Sequence, residues 1–127
     1  FGLGPIGLLI VEALRAAGAS KIYAVELSPE RQAKAEELGA IVVRPEEGES
    51  IVEAIHRLTD GGADVSYEVT GVPVVLGQAL AAVHKAGECM VVSIWEREAS
   101  INPNEFAIQE KTLRLLLIAT SSLKYWN

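Results

Sequence analysis

The sequence predicts an α/β protein built on a doubly wound parallel sheet, and three observations carry that expectation. Helical and strand-like segments alternate along the chain, which implies βα units and a parallel sheet. The segment Glu88–Ile94, with its core Cys89-Met-Val-Val, is unusually apolar, as expected of a strand covered on both faces. A glycine-rich turn, Gly2-Leu-Gly4-Pro-Ile-Gly7, opens the chain, and an acid, Glu26, closes the next strand-like run.

The elements follow in order. In such a turn the first glycine permits a tight exit from a strand and the second lets backbone approach a pyrophosphate. The third lets the following helix pack close to the sheet. Pro5 suits the first turn of a helix, and Ile6, Leu9, Ile10, Ala13, Leu14 and Ala17 repeat at helical spacing up to Gly18. Lys21–Glu26 reads as a strand. Glu26 lies 19 residues beyond Gly7, close to the roughly 20 expected for a carboxylate that holds an adenosine ribose. Ser28 can cap and Pro29 start a helix through Leu38, ended by Gly39. A short strand over Ala40–Val43 precedes a helix over Ser50–Leu58, with Ile51, Ala54, Ile55 and Leu58 inward. Asp64–Val69 reads as a strand running into Thr70-Gly71, and Pro73–His84 as a helix stopped by Gly87. After Glu88–Ile94, Asn102-Pro103-Asn104 turns the chain into a short helical stretch, and Leu113–Ile118 makes a last strand.

One element has no counterpart. A dinucleotide fingerprint needs a strand before its first glycine, and only Phe1 stands there. In the Rossmann-type strand order 3-2-1-4-5-6 that strand is central. The chain therefore reads as part of something longer. The expectation is an open slot about 10 Å wide between the Ile22–Val25 and Val65–Val69 strands, a segment supplied by another chain, or a rearranged sheet.

Composition narrows the function. The 127 residues make one domain, half of them hydrophobic, enough for a real core. A net charge of −6 argues against nucleic acid or an anionic membrane as partner, since either would demand a basic face. No apolar run approaches the ~20 residues of a membrane span, and no signal-peptide pattern opens the chain. The single cysteine, Cys89, excludes an internal disulfide and fits a cytoplasmic protein; in its apolar run it reads as a buried, inert thiol. His56 and His84, both on predicted helices, do not show metal-ligand spacing with Cys89 and read as surface or boundary residues. Glu46-Glu47-Gly-Glu49 reads as a solvated loop, and Trp95 and Trp126 as core or interface residues.

From the residues alone, the site is an NAD-type dinucleotide cradle. A methyltransferase-like domain holding S-adenosylmethionine, or a non-catalytic NAD-sensing module, stays open beside it.

The residues further resemble the zinc-type medium-chain alcohol and polyol dehydrogenases, in the butanediol, sorbitol and threonine dehydrogenase branch. Besides the glycine turn, the resemblance rests on Val25-Glu-Leu-Ser-Pro-Glu-Arg31, Ala33-Lys-Ala-Glu-Glu-Leu-Gly-Ala40, Leu58-Thr-Asp-Gly-Gly-Ala-Asp-Val65, Glu68-Val-Thr-Gly71, Asn102-Pro103 and Lys111-Thr-Leu-Arg114. It implies NAD bound at the turn Gly2, Gly4, Pro5, Ile6 and Gly7, with Gly4, Pro5 and Ile6 at the pyrophosphate, Glu26 on the ribose hydroxyls and Arg31 beside them. Val69 and Thr70 would border the adenosine side, and Ser93, Ile94 and Ile118 the nicotinamide. Ser93 and Leu115 stand where the family often has glycine. The resemblance places the zinc ligands and the proton relay in a separate domain that acts on a small alcohol or polyol. It assigns this chain no metal and no catalytic residue. It also implies a homodimer joined through the 113–118 edge, because that apolar run exceeds what one buried face absorbs. The alternative is that Trp126 and the residues after Thr120 cover the same edge within one chain.

Overall fold

The computed structural model describes residues 1–116. Among them the elements run α1 (Pro5–Ala16), β1 (Tyr23–Ala24), α2 (Pro29–Glu37), β2 (Ile41–Val42), α3 (Ile51–Thr59), β3 (Ala63–Glu68), α4 (Pro73–Ala81), β4 (Val83–Val91), α5 (Pro103–Gln109) and β5 (Thr112–Leu115). Every strand pairing is parallel: β1 with β2, β3 with β4, and β4 with β5.

The described strands form two parallel sheets, β1-β2 and β3-β4-β5, and helices cover both faces of the first. Ile22 and Ala24 enter a core with Leu3, Val11, Ala35 and Val42, under α1 and α2. Tyr23 and Val25, pointing the other way, pack against Val43, Ala54 and Ile55 at α3. Alternate side chains on one short strand thus serve two cores, as in a sheet covered on both sides. A third cluster joins Leu76, Ala79 and Leu80 of α4 to Cys89 and Val91, with Trp95, Phe106 and Leu113 packed against it.

β1 and β3 do not pair, and a cavity of about 670 Å³ lies between them, lined by Ile22, Tyr23 and Ala24 on one side and Val65, Ser66 and Tyr67 on the other. Phe1 and Gly2 bridge its end. The Phe1 amino group donates to the Tyr67 carbonyl at 2.9 Å, Val69 N–H to the Phe1 carbonyl at 3.0 Å, and Gly2 N–H to the Val25 carbonyl at 3.0 Å. This is the open-slot form of the expectation, and it explains why the predicted strand Lys21–Glu26 is regular only at Tyr23–Ala24.

Two boundaries differ from the sequence reading. The helix expected over Pro73–His84 ends at Ala81, because Ala82 and Val83 are already drawn into the sheet. Both are 1% exposed, Ala63 N–H donates to the Ala82 carbonyl at 2.9 Å, and Val83 pairs with Ala63. His84 therefore stands on a strand, where Nε2 meets Asp64 at 2.9 Å. Gly87 stops no helix; it lies in the bent part of β4, where a Cβ would come within 2.8 Å of Val83 and His84. The last strand, expected over Leu113–Ile118, is Thr112–Leu115; Leu117, Ile118 and Trp126 lie outside the described residues. Cys89 is fully buried, and burial pushes its thiol pKa up, as an inert core cysteine requires.

The acidic loop is ordered by α3. Ser50 and Glu53 form a reciprocal capping box. Arg57 donates to both oxygens of Glu49, at 2.8 and 2.9 Å. Those bonds hold the Glu49 pKa down to about 2, from 4.5. A carboxyl whose folded pKa is depressed stabilises the fold above its unfolded pKa and loses that contribution as pH falls through the folded one. Glu49→Gln should therefore lower the melting temperature at neutral pH and flatten its fall between pH 4.5 and 2. Parallel acid limbs for the two proteins would contradict the assignment.

Candidate functional site

The glycine turn is shaped by contacts that leave no room for side chains. Gly2 has φ +93°, and a Cβ there would meet the Thr70 methyl at 2.8 Å. A Cβ on Gly7 would lie 1.9 Å from the Gly2 carbonyl oxygen, so α1 touches the turn through bare backbone. Gly4 is the opposite case. A Cβ there would meet nothing within 4 Å, and Gly4 faces a cleft of about 300 Å³. Pro5 starts α1, which has no side-chain cap and no acid in its first turn. The positive end of the helix dipole is thus left for an anion. The cleft that a Cβ at Gly4 would narrow fits a pyrophosphate approached by backbone.

Glu26 stands beside this turn. Leu3 N–H donates to its Oε2 at 2.8 Å and Ser28 N–H to its Oε1 at 3.1 Å. Arg31 approaches Oε1 at 3.7 Å, and the Glu26 side chain is 9% exposed. Burial alone would favour the neutral acid, but these donors and Arg31 outweigh it and hold the pKa below the ordinary value. The result is a fixed carboxylate with lone pairs left for further donors.

The cleft brings together most of the predicted site. It is lined by Gly4, Pro5, Ile6, Gly7, Val69, Thr70, Val92, Ser93 and Ile94. Val92 escaped the sequence reading; it follows the end of β4 and precedes two predicted positions. Gly2, Glu26 and Arg31 sit around the turn rather than in the cleft wall, and Ile118 lies outside the described residues. The larger cavity lies between the unpaired edges of β1 and β3, whereas the smaller cleft gathers Gly4, Pro5, Ile6, Thr70, Ser93 and Ile94. Ser93 turns its hydroxyl toward Glu68, and Leu115 is 69% exposed and absent from the cleft wall.

Glu68 is a buried acid beside the cleft that the sequence reading did not single out for the site. It ends β3, is fully buried, and receives donors from Thr70, Gly71 and Ser93. The available signal was an acid at the end of a predicted strand, in Glu68-Val-Thr-Gly71. The histidines serve structure: His56 Nε2 lies 2.7 Å from the Ala81 carbonyl. Among the described residues no group of three or more His, Cys, Asp or Glu side chains is placed to hold a metal. No described helix is long and apolar enough to cross a membrane.

Comparison with known proteins places this geometry. Residues 5–125 match the family model of the zinc-binding dehydrogenases. The (R,R)-butanediol dehydrogenase of Bacillus subtilis is 60% identical over 114 residues, covering 90% of this chain and 33% of that protein. The crystal structure of 2R,3R-butanediol dehydrogenase from Bacillus subtilis superposes with a TM-score of 0.87 at 59% identity, over 92% of this chain and 34% of that one. A zinc-binding dehydrogenase from Sinorhizobium meliloti, solved bound to NADP, superposes with a TM-score of 0.81 at 28% identity, over 90% of this chain and 35% of that one. The chain thus spans about a third of the length of the relatives it matches. These matches favour the dehydrogenase reading over the methyltransferase-like one, and the chain belongs to the zinc-binding dehydrogenase family.

Proposed function

We propose that this chain is the NAD-binding domain of a longer, zinc-dependent dehydrogenase that oxidises a small secondary alcohol or polyol, a vicinal diol such as butanediol among them. The observation that carries the reading is the cleft itself, with the bare backbone of Gly4 and the open α1 N-terminus facing Ser93 and Ile94, and the fixed carboxylate of Glu26 alongside. In this arrangement Gly2, Gly4, Pro5, Ile6 and Gly7 hold the pyrophosphate, and Glu26 accepts from the adenosine ribose hydroxyls with Arg31 beside it. Val69 and Thr70 border the adenosine side; Ser93, Ile94 and Ile118 border the nicotinamide. When bound, NAD supplies the hydride acceptor and zinc, held outside this chain, the Lewis acid for the alcohol oxygen. This domain's residues bind, orient and exclude water.

Residues of the longer protein preceding Phe1 supply the strand between β1 and β3. The net charge of −6 and the buried Cys89 support a cytoplasmic setting without nucleic-acid or membrane partners. The test is turnover by the full-length protein with NAD and butane-2,3-diol, followed by the absorbance of reduced cofactor. Chelation of zinc should abolish turnover and leave NAD binding intact. Turnover unaffected by chelation, or none with any diol, polyol or simple secondary alcohol, would contradict the reading.

Assembly is proposed to be a homodimer through β5. Its outer edge is unpaired among the described residues, with Leu115 and Leu116 exposed at 69% and 41%; soluble proteins rarely leave such an edge open. Leu116→Lys should convert a dimer to a monomer in solution mass measurements. A wild-type monomer whose 113–118 backbone is protected from hydrogen exchange would favour cover by the chain's own C-terminal residues.

A further inference from the structure

We propose that Glu68 is a positioning residue that sets the distance between the two walls of the cleft, and so governs how the nicotinamide half of the cofactor is held. The inference rests on the dinucleotide reading above and adds a residue that does not itself line the cleft.

Glu68 is fully buried at the end of β3, and among the described residues it has no cation within ion-pair distance. Burying a carboxyl group is costly unless hydrogen bonds compensate, and here its two oxygens are divided between two loops. Oε1 accepts from Thr70 N–H at 2.6 Å, Gly71 N–H at 3.0 Å and the Thr70 hydroxyl. Oε2 accepts from the Ser93 hydroxyl at 2.5 Å. The Thr70 hydroxyl in turn accepts from Val72 N–H at 3.1 Å, which fixes the direction of its own proton toward Glu68. The backbone N–H groups of Thr70 and Gly71 can only donate, so Oε1 accepts from both.

Thr70 and Ser93 both line the cleft, one following β3 and the other following β4. The walls are already in close contact. A Cβ on Gly71 would lie 2.7 Å from the Ile94 carbonyl, and the position of a Cβ on Gly2 lies 2.8 Å from the Thr70 methyl. The carboxyl group therefore ties Thr70 and Ser93 to one another, and Thr70 in turn packs beside Gly2 of the glycine turn. Glu26, which faces the ribose, is held by different donors on β1's side. Loosening Ser93 should disturb the nicotinamide half and spare the adenosine half.

The test is calorimetric titration of the full-length protein with NAD and with ADP-ribose, which lacks the nicotinamide. Ser93→Ala is expected to weaken NAD about tenfold, the loss of one hydrogen bond, while ADP-ribose changes less than twofold. Ser93→Thr, which keeps the hydroxyl, should restore NAD affinity. Glu68→Gln offers one acceptor oxygen in place of two and should weaken NAD by at least as much. Combining it with Ser93→Ala should then add nothing, since both remove one interaction. Equal weakening of both ligands by Ser93→Ala, additive losses, or NAD affinity unchanged in either variant would overturn the positioning role. Should Glu68→Gln fail to fold, Glu68→Asp, which keeps both acceptor oxygens but withdraws them by one methylene, is read in the same way, alone and combined with Ser93→Ala. A wild-type protein that binds neither ligand would instead overturn the dinucleotide reading itself.

Discussion

Gly7→Ala is expected to cost about 3 kcal/mol of stability and to weaken NAD about a hundredfold. The added Cβ would sit 1.9 Å from the Gly2 carbonyl oxygen, and backbone cannot rotate away as a flexible side chain does. Either α1 slides off the glycine turn or the turn opens. An opened turn strains the Gly2 bond to Val25 and the Leu3 bond to Glu26. Both changes move the first-turn N–H groups away from the pyrophosphate. Gly77→Ala is the control: a Cβ at that position in α4 meets nothing within 4 Å. It should raise stability by about 0.5–1 kcal/mol, the helix-propensity difference, with NAD affinity unchanged. Thermal unfolding and calorimetric titration of the full-length protein read both. A Gly7→Ala protein with wild-type melting and affinity would show that α1 does not pack on the turn as described.

The second large effect concerns cofactor choice. The full-length protein should bind NAD more tightly than NADP, because the fixed Glu26 carboxylate accepts from ribose hydroxyls and repels a 2′-phosphate. Glu26→Ala should weaken NAD by roughly 1–3 kcal/mol and relax the preference. Arg31, 3.7 Å from Glu26 and 57% exposed, sets a limit on discrimination, since its guanidinium is free to turn toward a phosphate. The NADP-bound relative from Sinorhizobium meliloti shows that the fold accepts that cofactor elsewhere. Equal or tighter NADP binding by the wild-type protein would sink the assignment of Glu26.

The glycine turn was legible because its chemistry is local. Gly2, Gly4 and Gly7 are fixed by backbone geometry over six residues, and Glu26 follows at a spacing set by one helix and one strand. The capping by Ser28 was legible for the same reason. The end of α4 was not. Ala82, Val83 and His84 tolerate a helix, and only the pairing of Val83 with Ala63 turns the chain into β4. Glu68 was harder still. Its role depends on Ser93, 25 residues away, and becomes visible once β3 and β4 lie side by side. The slot between β1 and β3 followed from strand order, whereas its bridging by Phe1 is a detail of register that no spacing rule contains.

The central claim is that a dinucleotide lies across the glycine turn with its ribose on Glu26. A crystal structure of the full-length protein with NAD tests it most directly. The pyrophosphate should lie against the backbone of Gly4–Gly7 at the α1 N-terminus, with both adenosine ribose hydroxyls donating to Glu26 and the nicotinamide beside Ser93 and Ile94. A cofactor bound elsewhere, or one in this cleft with its ribose turned away from Glu26, would contradict the account.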